Sequence, residues 1–261
     1  MDAICRVETG EGPRYVVRRD DAWHALDGDL FGGYTVGDRL GLTTPKVLAP
    51  VAPSKVVAVG LNYKDHAAEM QKPLPAEPLI FLKPSTSVIG PGADIVLPVG
   101  AGRVDYEAEV GVVISRHARH VPAARAHEYV LGLTCVNDVT DRDLQKRDVQ
   151  YTRAKGFDTF CPIGPCIVPL DLDHPIGVRS TVNGEVRQDS STRELIFPIR
   201  QVFEFVTAVM TLLPGDVIST GTPPGVGPLA AGDRITVAVD GVGEVTNNVV
   251  SSAGTTAGRE V

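Results

Sequence analysis

Long apolar runs, paired cysteines and a secretion signal are all missing from this sequence. No window approaches the ~20 apolar residues that a membrane-spanning helix needs, and residues 1–10 contain no apolar stretch behind a basic start. The four cysteines show no CxxC spacing and are interpreted as reduced thiols: Cys5, Cys135, Cys161 and Cys166. We therefore expect a cytoplasmic protein.

An excess of positive charge is missing as well. The formal net charge is −7, so no net positive field collects the phosphates of a nucleic acid. Aromatic residues make up 5% of the chain, against 27 glycines and 20 prolines, a composition that favours short strands and tight turns. A small molecule is the expected ligand, with neither nucleic acid nor membrane as a partner.

Proline marks the expected domain boundary. Pro45, Pro50 and Pro53 fall close together in a stretch typical of a linker. We predict a small N-terminal domain at residues 1–50, to which we assign no chemistry. A catalytic domain follows at residues 51–261, and its tail from Ser251 is expected to fray.

Beyond the linker, a short helix and a loop are predicted. Residues 55–60 are typical of a buried strand, and Asn62 is predicted to cap a helix that runs through Met70. Three prolines between residues 73 and 78 end this helix and leave an exposed loop that can act as a lid.

The rest of the chain is predicted to be rich in strands. Val121-Pro122 predicts a helix start, and Asn183-Gly184 predicts a hairpin with a type I′ turn. Residues 198–212 form the clearest amphipathic helix, with an apolar stripe expected to pack in the core: Ile199, Val202, Phe203, Val206, Val209, Met210 and Leu213. Strands are predicted again at 216–219, 234–239 and 243–245. Because the strands and helices do not alternate regularly, we expect a strand-rich α+β fold.

Two carboxylates stand one residue apart at the head of an apolar strand. Successive strand side chains point to opposite faces, so Glu107 and Glu109 share a face while Tyr106 and Ala108 take the other. Two neighbouring anions next to a core require a proton, a basic partner or a divalent cation. The strand is interpreted as half of a metal site, and the alternative is an exposed edge strand with a solvated acidic face.

A third acid, Asp138, ends the next predicted core strand. Three carboxylates without a neighbouring His or Cys favour Mg²⁺ or Mn²⁺ over Zn²⁺, with Ca²⁺ as an alternative. An Asp at a strand end is also a common helix cap. Whether Asp138 is a metal ligand or a cap therefore depends on the residues around it.

Together with these acids, several short motifs resemble the fumarylacetoacetate hydrolase family. The resemblance is to its shorter members, which include acylpyruvate hydrolases, oxaloacetate decarboxylases and 2-hydroxyhepta-2,4-diene-1,7-dioate isomerases. The motifs run in family order over roughly residues 53–250: Val59-Gly60-Leu61-Asn62-Tyr63 through His66 and Glu69, Phe81-Leu82-Lys83-Pro84, Asp105-Tyr106-Glu107-Ala108-Glu109, Asn137-Asp138 with Arg142-Asp143 and Gln145, Lys155-Gly156-Phe157-Asp158, and Ser219-Thr220-Gly221-Thr222-Pro223.

The resemblance implies a β-rich catalytic domain, a homodimer, and Mg²⁺ or Mn²⁺ held by Glu107, Glu109 and Asp138. It also implies that four residues surround the substrate and that a His-Glu pair reaches the site on the lid. The four are Lys155, Gln145, Arg142 and Thr220, and the pair is His66 with Glu69.

The residues themselves leave alternatives open. His66 and Glu69 stand at i and i+3, where the carboxylate can orient the imidazole as a general base, or both can simply be solvated. Lys155 is either a pocket ammonium or a surface lysine, and Arg142 is either a substrate contact or the partner of its flanking acids. The turn at Thr220 and Gly221 either offers N–H groups to a substrate carboxylate or is purely structural.

Hydrolysis of a C–C bond in a 2,4-dioxo acid such as an acylpyruvate or fumarylpyruvate is the leading prediction. In it, His66 deprotonates water and Lys155 stabilises the resulting enolate. Oxaloacetate decarboxylation or tautomerisation and dienedioate isomerisation need the same enolate and are the alternatives. A catalytically silent binding protein and an unrelated β-rich metal-dependent hydrolase are the remaining ones.

Overall fold

The N-terminal residues form an antiparallel meander that extends the main sheet. In the computed structural model, which describes residues 2–252, the meander consists of β1 (Ala3–Thr9), β2 (Gly12–Arg19), β3 (Ala22–Asp29) and β4 (Gly33–Leu40). β1 pairs with β14 of the catalytic part through Ile4 and Ile167, so the sheet crosses the predicted linker. A short strand, β5 (Val47–Leu48), also pairs with β1.

The main sheet runs in the order β4-β3-β2-β1-β14-β12-β11-β17-β6-β7. Its remaining members are β6 (Lys55–Val59), β7 (Ile80–Pro84), β8 (Val88–Ile89), β11 (Ala108–Ile114), β12 (Val130–Asn137), β14 (Cys161–Val168) and β17 (Val217–Ser219). Every residue of β11 is buried, which is typical of a central strand covered on both faces.

Two smaller sheets complete the strand structure of residues 2–252. The first has the order β16-β15-β19-β20-β9 and the second β13-β10-β18. The bounds are β9 (Ile95–Leu97), β10 (Val104–Tyr106), β13 (Thr140–Asp141), β15 (Gly177–Val182), β16 (Glu185–Ser191), β18 (Gly227–Pro228), β19 (Arg234–Val239) and β20 (Gly243–Ser251). The predicted hairpin is confirmed, since Asn183 and Gly184 join β15 to β16 with φ of 53° and 85°.

Helices are short and few among the described residues. They are α1 (Lys64–Glu69), α2 (Arg142–Asp148), α3 (Thr152–Lys155) and α4 (Ile199–Val209), with 3₁₀ helices at Ser85–Ser87, Ala123–Glu128 and Thr192–Glu194. None of the helices in this part of the chain has the length and apolarity to cross a membrane. The strand-rich α+β class is confirmed.

Four local predictions need correction. The helix after Pro122 is a 3₁₀ helix. The residue that precedes α1 is Tyr63, because the Asn62 side chain is committed to other buried groups described below. In the apolar stripe, Val209 and Leu213 are 52% and 36% exposed, since α4 ends at Val209. Finally, Ser251 ends β20, and the rest of the tail predicted to fray lies outside the described residues.

Candidate active site

Three acids that are distant in sequence come together in space. Glu107 lies between β10 and β11, Glu109 lies within β11, and Asp138 directly follows β12. Because Ala108 pairs with Asn137 across β11 and β12, all three reach the same end of this strand pair. One carboxylate oxygen from each lies within 4.8 Å of the others, and all three residues are buried. The solvated edge strand is therefore wrong.

The helix-cap alternative for Asp138 is also wrong. Asp141 caps α2, accepting hydrogen bonds from the N–H groups of Asp143 and Leu144 at 3.0 Å each. The Asp138 carboxylate instead belongs to the buried cluster.

Two buried amides support the break between β10 and β11. Asn137 Oδ1 accepts from the Glu107 N–H (3.0 Å), and Gln188 Oε1 accepts from the Ala108 N–H (3.0 Å). Gln188 Nε2 in turn donates to the Thr222 hydroxyl (2.7 Å). The chain can therefore leave the regular sheet at this point without burying an unpaired N–H group.

Lys155 is a buried cation at the centre of the cluster, so the surface-lysine alternative is wrong. It is 2% exposed, and its Nζ donates to Glu107 Oε2 (2.8 Å), Asp138 Oδ2 (2.5 Å) and the Thr140 hydroxyl (2.8 Å). Burial alone would lower the pKa of Lys155, but the charges of Asp138 and Glu107 raise it above its usual value. The side chain is therefore an ammonium group held between two acids.

A second buried ammonium, Lys83, contacts the other oxygen of Asp138. It is 0% exposed, and its Nζ donates to Asp138 Oδ1 (2.5 Å) and to the Val139 carbonyl (3.3 Å). Lys83 stands in the Phe81-Leu82-Lys83-Pro84 motif, and no role is predicted for it from the sequence. The sequence gives little sign that Lys83 is buried, because leucine is usually buried and lysine exposed. Here the order is reversed, and the neighbouring Leu82 is the exposed residue.

Glu107 and Glu109 differ sharply in their electrostatic surroundings. Burial would raise the pKa of Glu107, but the charges of Lys155 and Arg142 lower it to about 2. Burial and the charges of Asp138 and Glu107 raise the pKa of Glu109 to about 8. Glu109 accepts hydrogen bonds from Ser219 Oγ (2.5 Å) and from the Gly221 N–H (2.8 Å). Within residues 2–252 it has no cationic partner.

The predicted His-Glu pair is formed at the end of α1. His66 is buried, and its Nδ1 lies 2.8 Å from Glu69 Oε2. Glu69 Oε1 also accepts from the Gly225 N–H (3.1 Å). The next residues, as predicted, are an irregular loop as far as β7.

Asn62 connects the start of α1 to the turn that holds Glu109. Its Nδ2 donates to the Thr220 carbonyl (2.7 Å) and the Phe197 carbonyl (3.2 Å), and its Oδ1 accepts from the Phe197 N–H (2.9 Å). Gly221 has φ +97°, and a Cβ there would lie 2.7 Å from the Asn62 Cβ. Close packing and backbone geometry therefore both require glycine at this position.

The residues expected to surround a substrate divide into two groups. Arg142 and Gln145 line the cavity, as Lys155 does, but the Arg142 guanidinium already contacts Asp105 (2.8 Å), Glu107 (2.6 Å) and Gln145 (3.0 Å). By contrast, the hydroxyl of Thr220 is buried and donates to the Val110 carbonyl (2.9 Å). Thr220 and Gly221 therefore use their polar groups to build the turn.

One cavity of about 700 Å³ is bordered both by the acidic cluster and by the His66-Glu69 pair. Glu107, Glu109 and Lys155 line it from the cluster, and His66 and Glu69 line it from α1. Volumes of this order are typical of small-molecule sites. An acid cluster, a buried ammonium and an imidazole thus border one space.

Residues 55–250 match the sequence pattern of the family described as fumarylacetoacetate (FAA) hydrolase C-terminal, and residues 3–50 match that described as Rv2993c-like, N-terminal. The chain belongs to the fumarylacetoacetate hydrolase family. The resemblance inferred from the motifs is thus confirmed.

Relatives within the fumarylacetoacetate hydrolase family include several enzymes. A mitochondrial oxaloacetate tautomerase of Bos taurus is 41% identical over 78% of this chain and 69% of its own. The crystal structure of 2-hydroxyhepta-2,4-diene-1,7-dioate isomerase from Mycobacterium marinum is 40% identical, with a TM-score of 0.89 over 98% of this chain and 100% of its own. That of 5-carboxymethyl-2-hydroxymuconate delta-isomerase from Mycobacterium smegmatis is 44% identical, with a TM-score of 0.89 over 96% and 100%.

Members of the fumarylacetoacetate hydrolase family commonly bind divalent metals, and the acids here fit such an ion. The three carboxylates offer only oxygen donors, the set that Mg²⁺ and Mn²⁺ prefer. Glu109 has no cationic partner among the described residues, so a divalent ion would supply the positive charge that its ionised carboxylate needs. Glu107, Glu109 and Asp138 would hold it.

Proposed function

We propose that this protein catalyses enol–keto isomerisation of a 2-oxo acid. The observation that carries the proposal is the shared cavity, in which the acid cluster with Lys155 and the His66-Glu69 pair border the same space. Relatives that are tautomerases and isomerases at 40% identity or more support this class of reaction. The acids, the lysine and the imidazole supply the charges and the base that such proton transfer requires.

The His66-Glu69 contact sets the role of the imidazole. When Nδ1–H donates to Glu69, the other ring nitrogen of His66 is left unprotonated and can act as a base in the cavity that this residue lines. It takes a proton from the carbon next to the 2-oxo group and delivers it to the 2-oxygen, which gives the enol, and the reverse transfer regenerates the keto form. Glu69 stabilises the imidazolium that forms in between.

Lys155 carries the second role. Its ammonium group lies among the acids at the cavity wall, where it balances the negative charge that develops on the 2-oxo oxygen. One such preorganised donor is typically worth about 3 kcal/mol of barrier. A Mg²⁺ or Mn²⁺ ion at the three acids would supply further positive charge for the oxygens of the 2-oxo acid.

Hydrolysis of an acylpyruvate is the second candidate, and the buried His66 is the observation that favours it. An oriented base can also deprotonate a water that attacks the 4-carbonyl, so that the acylpyruvate and water yield pyruvate and a carboxylic acid. Oxaloacetate decarboxylation on the same residues would release CO₂ instead. A homodimer remains our expectation for the assembly.

Product analysis distinguishes these reactions. The metal-depleted protein is assayed with oxaloacetate, acetylpyruvate, fumarylpyruvate and 2-hydroxyhepta-2,4-diene-1,7-dioate, with and without Mg²⁺ or Mn²⁺. We expect metal-dependent isomerisation, seen by NMR as exchange between enol and keto forms without loss of carbon. Pyruvate together with an acid as the main products would replace the proposal with hydrolysis.

The His66→Ala variant tests the base. We expect the rate to fall by about 10²–10⁴-fold, the typical contribution of a general base, while divalent-metal binding measured by calorimetry is retained. His117→Ala is the matched control, because His117 is exposed and does not border the cavity. An unchanged rate in His66→Ala would remove His66 from the mechanism.

A further inference from the structure

Arg103 presents a cation at the mouth of the cavity. It immediately precedes β10, lines the cavity, and has a side chain that is 55% exposed. Its backbone is fixed on both sides, because its N–H donates to Asp143 Oδ2 (3.3 Å) and its carbonyl accepts from the Arg142 N–H (2.8 Å). The backbone of Arg103 is therefore anchored at the edge of the site.

The acid that faces Arg103 is shared with another arginine. Asp105 is 1% exposed and accepts from Arg103 Nε (2.7 Å) and Nη2 (3.1 Å) and from Arg142 Nε (2.8 Å). One carboxylate cannot neutralise two guanidinium groups. Arg142 has Glu107 as a second acid, whereas Asp105 is the only acid that contacts the Arg103 side chain within residues 2–252. Of the two guanidinium groups that share Asp105, the Arg103 guanidinium is therefore the less compensated.

The charges around the cavity point to the kind of ligand. Four acids and four cations form one contiguous set: Asp105, Glu107, Glu109 and Asp138 with Lys83, Arg103, Arg142 and Lys155. A divalent ion at the acid cluster would leave this set with an excess of two positive charges when all four acids are ionised. A ligand with two carboxylates balances that excess.

Two further lysines strengthen the positive field at the same mouth. Lys72 follows α1 and Lys146 belongs to α2, and both line the cavity. Neither forms an ion pair with any residue from 2 to 252. The further acid that lines the cavity, Glu69, is already paired with His66 and accepts from the Gly225 N–H. In a chain with a net charge of −7, these unpaired cations therefore favour an anionic group at the outer end of the ligand.

We propose that Arg103 is a specificity-determining residue that binds the distal carboxylate of a 2-oxo diacid. Asp105 occupies the Nε/Nη2 edge of the guanidinium, which leaves the N–H groups of the Nη1/Nη2 edge in the geometry that a second carboxylate matches. A cavity of about 700 Å³ has room for a carbon chain between the two ends. The 2-oxo end lies at the acid cluster, so the inference rests on the proposed function for that end of the substrate.

A matched pair of ligands tests the inference by binding alone. 2-Oxoadipate and 2-oxohexanoate have the same chain length and differ in the distal carboxylate. We expect the Mn²⁺-loaded native protein to bind 2-oxoadipate at least tenfold more tightly by calorimetry. The Arg103→Met variant removes this preference and leaves the affinity for 2-oxohexanoate within about twofold of native.

The controls separate recognition from structural damage. Arg125→Met removes an arginine of equal side-chain exposure, 55%, that pairs with Glu128 away from the cavity, and we expect it to keep the preference. Arg103→Lys keeps the positive charge and should retain part of the preference for 2-oxoadipate. Asp105 keeps Arg142 as a partner in both Arg103 variants, so no buried acid is left unpaired.

Two results would overturn the inference. One is equal affinity of the native protein for both ligands, and the other is an equal loss of both affinities in Arg103→Met, which would mean that Arg103 acts only through Asp105. The binding assay does not depend on turnover. A diacid preference without isomerisation would therefore contradict the proposed function alone, whereas isomerisation without the preference would contradict this inference alone.

Discussion

Replacing Glu109 with Gln should stabilise the metal-free protein at neutral pH. Both donors to Glu109, Ser219 Oγ and the Gly221 N–H, contact the same oxygen, Oε2. The single carbonyl oxygen of Gln can take that place and keep both hydrogen bonds. The amide NH₂ group then replaces the oxygen that would repel Asp138 and Glu107 when Glu109 ionises, so the substitution removes an ionisable group without losing a contact.

The raised pKa of Glu109 gives the size and sign of the effect. The pKa moves from its usual 4.5 to about 8, so the folded protein binds more protons than the unfolded chain between these pH values. Stability then falls as pH rises through this window, by about 3 kcal/mol at pH 7 and about 5 kcal/mol above pH 8. Glu109→Gln avoids this loss, and its melting temperature at pH 7 should be roughly 6–12 °C higher than native.

Thermal and urea unfolding of chelator-treated proteins between pH 4 and pH 9 measure the effect. The difference between native and Glu109→Gln isolates this residue from other groups that titrate in the same range. Mn²⁺ should stabilise the native protein but not the variant. Glu244→Gln is the matched control at an exposed acid and should change stability by less than about 0.5 kcal/mol. A native stability that matches or exceeds that of Glu109→Gln at pH 7 to 8 would refute the reasoning.

Three further substitutions test the surroundings of the cluster. Gly221→Ala should cost about 2–4 kcal/mol of stability and weaken Mn²⁺ binding, whereas Gly232→Ala, with a similar φ of +99° and open space for a Cβ, should show only the backbone strain of about 1–2 kcal/mol. Lys83→Met should destabilise the protein by about 3 kcal/mol in urea unfolding, and adding Asp138→Asn should recover part of that loss; a further loss would contradict the pairing. Lys155→Met should lower turnover by about 10²-fold while Mn²⁺ still binds by calorimetry, and near-native turnover would exclude its catalytic role.

Much of the fold was predictable because local rules determine it. The Asn183-Gly184 turn and the strand that contains Glu109 follow from the backbone geometry of Asn-Gly and from side-chain alternation. The wrong assignments depend on tertiary partners. Asn62 is a good capping residue type, but buried carbonyl and N–H groups from distant segments use its side chain instead. The stripe of α4 was extended too far because periodicity does not reveal where a helix stops.

The candidate site was predictable in its acids and less so in its cations. Carboxylates beside an apolar strand are unusual enough to be noticed in a sequence, whereas a single lysine such as Lys83 is indistinguishable from a surface lysine until the structure shows it buried against Asp138. The role of Arg103 depends on the sharing of Asp105 with Arg142. Such sharing is a property of three-dimensional geometry and leaves no pattern in the chain.

The different surroundings of Glu107 and Glu109 explain how one segment can hold an ionised carboxylate and still bind a divalent ion. Strand geometry places the two acids close together, yet Lys155 and Arg142 both contact Glu107 and neither contacts Glu109. Glu109 receives neutral donors instead. The pKa values of about 2 and about 8 follow from this one-sided arrangement. Glu107 is therefore ionised before any ligand arrives, whereas Glu109 must lose its proton when a divalent ion binds. Metal affinity should accordingly rise with pH up to about 8, because each ion bound below that pH displaces a proton from Glu109.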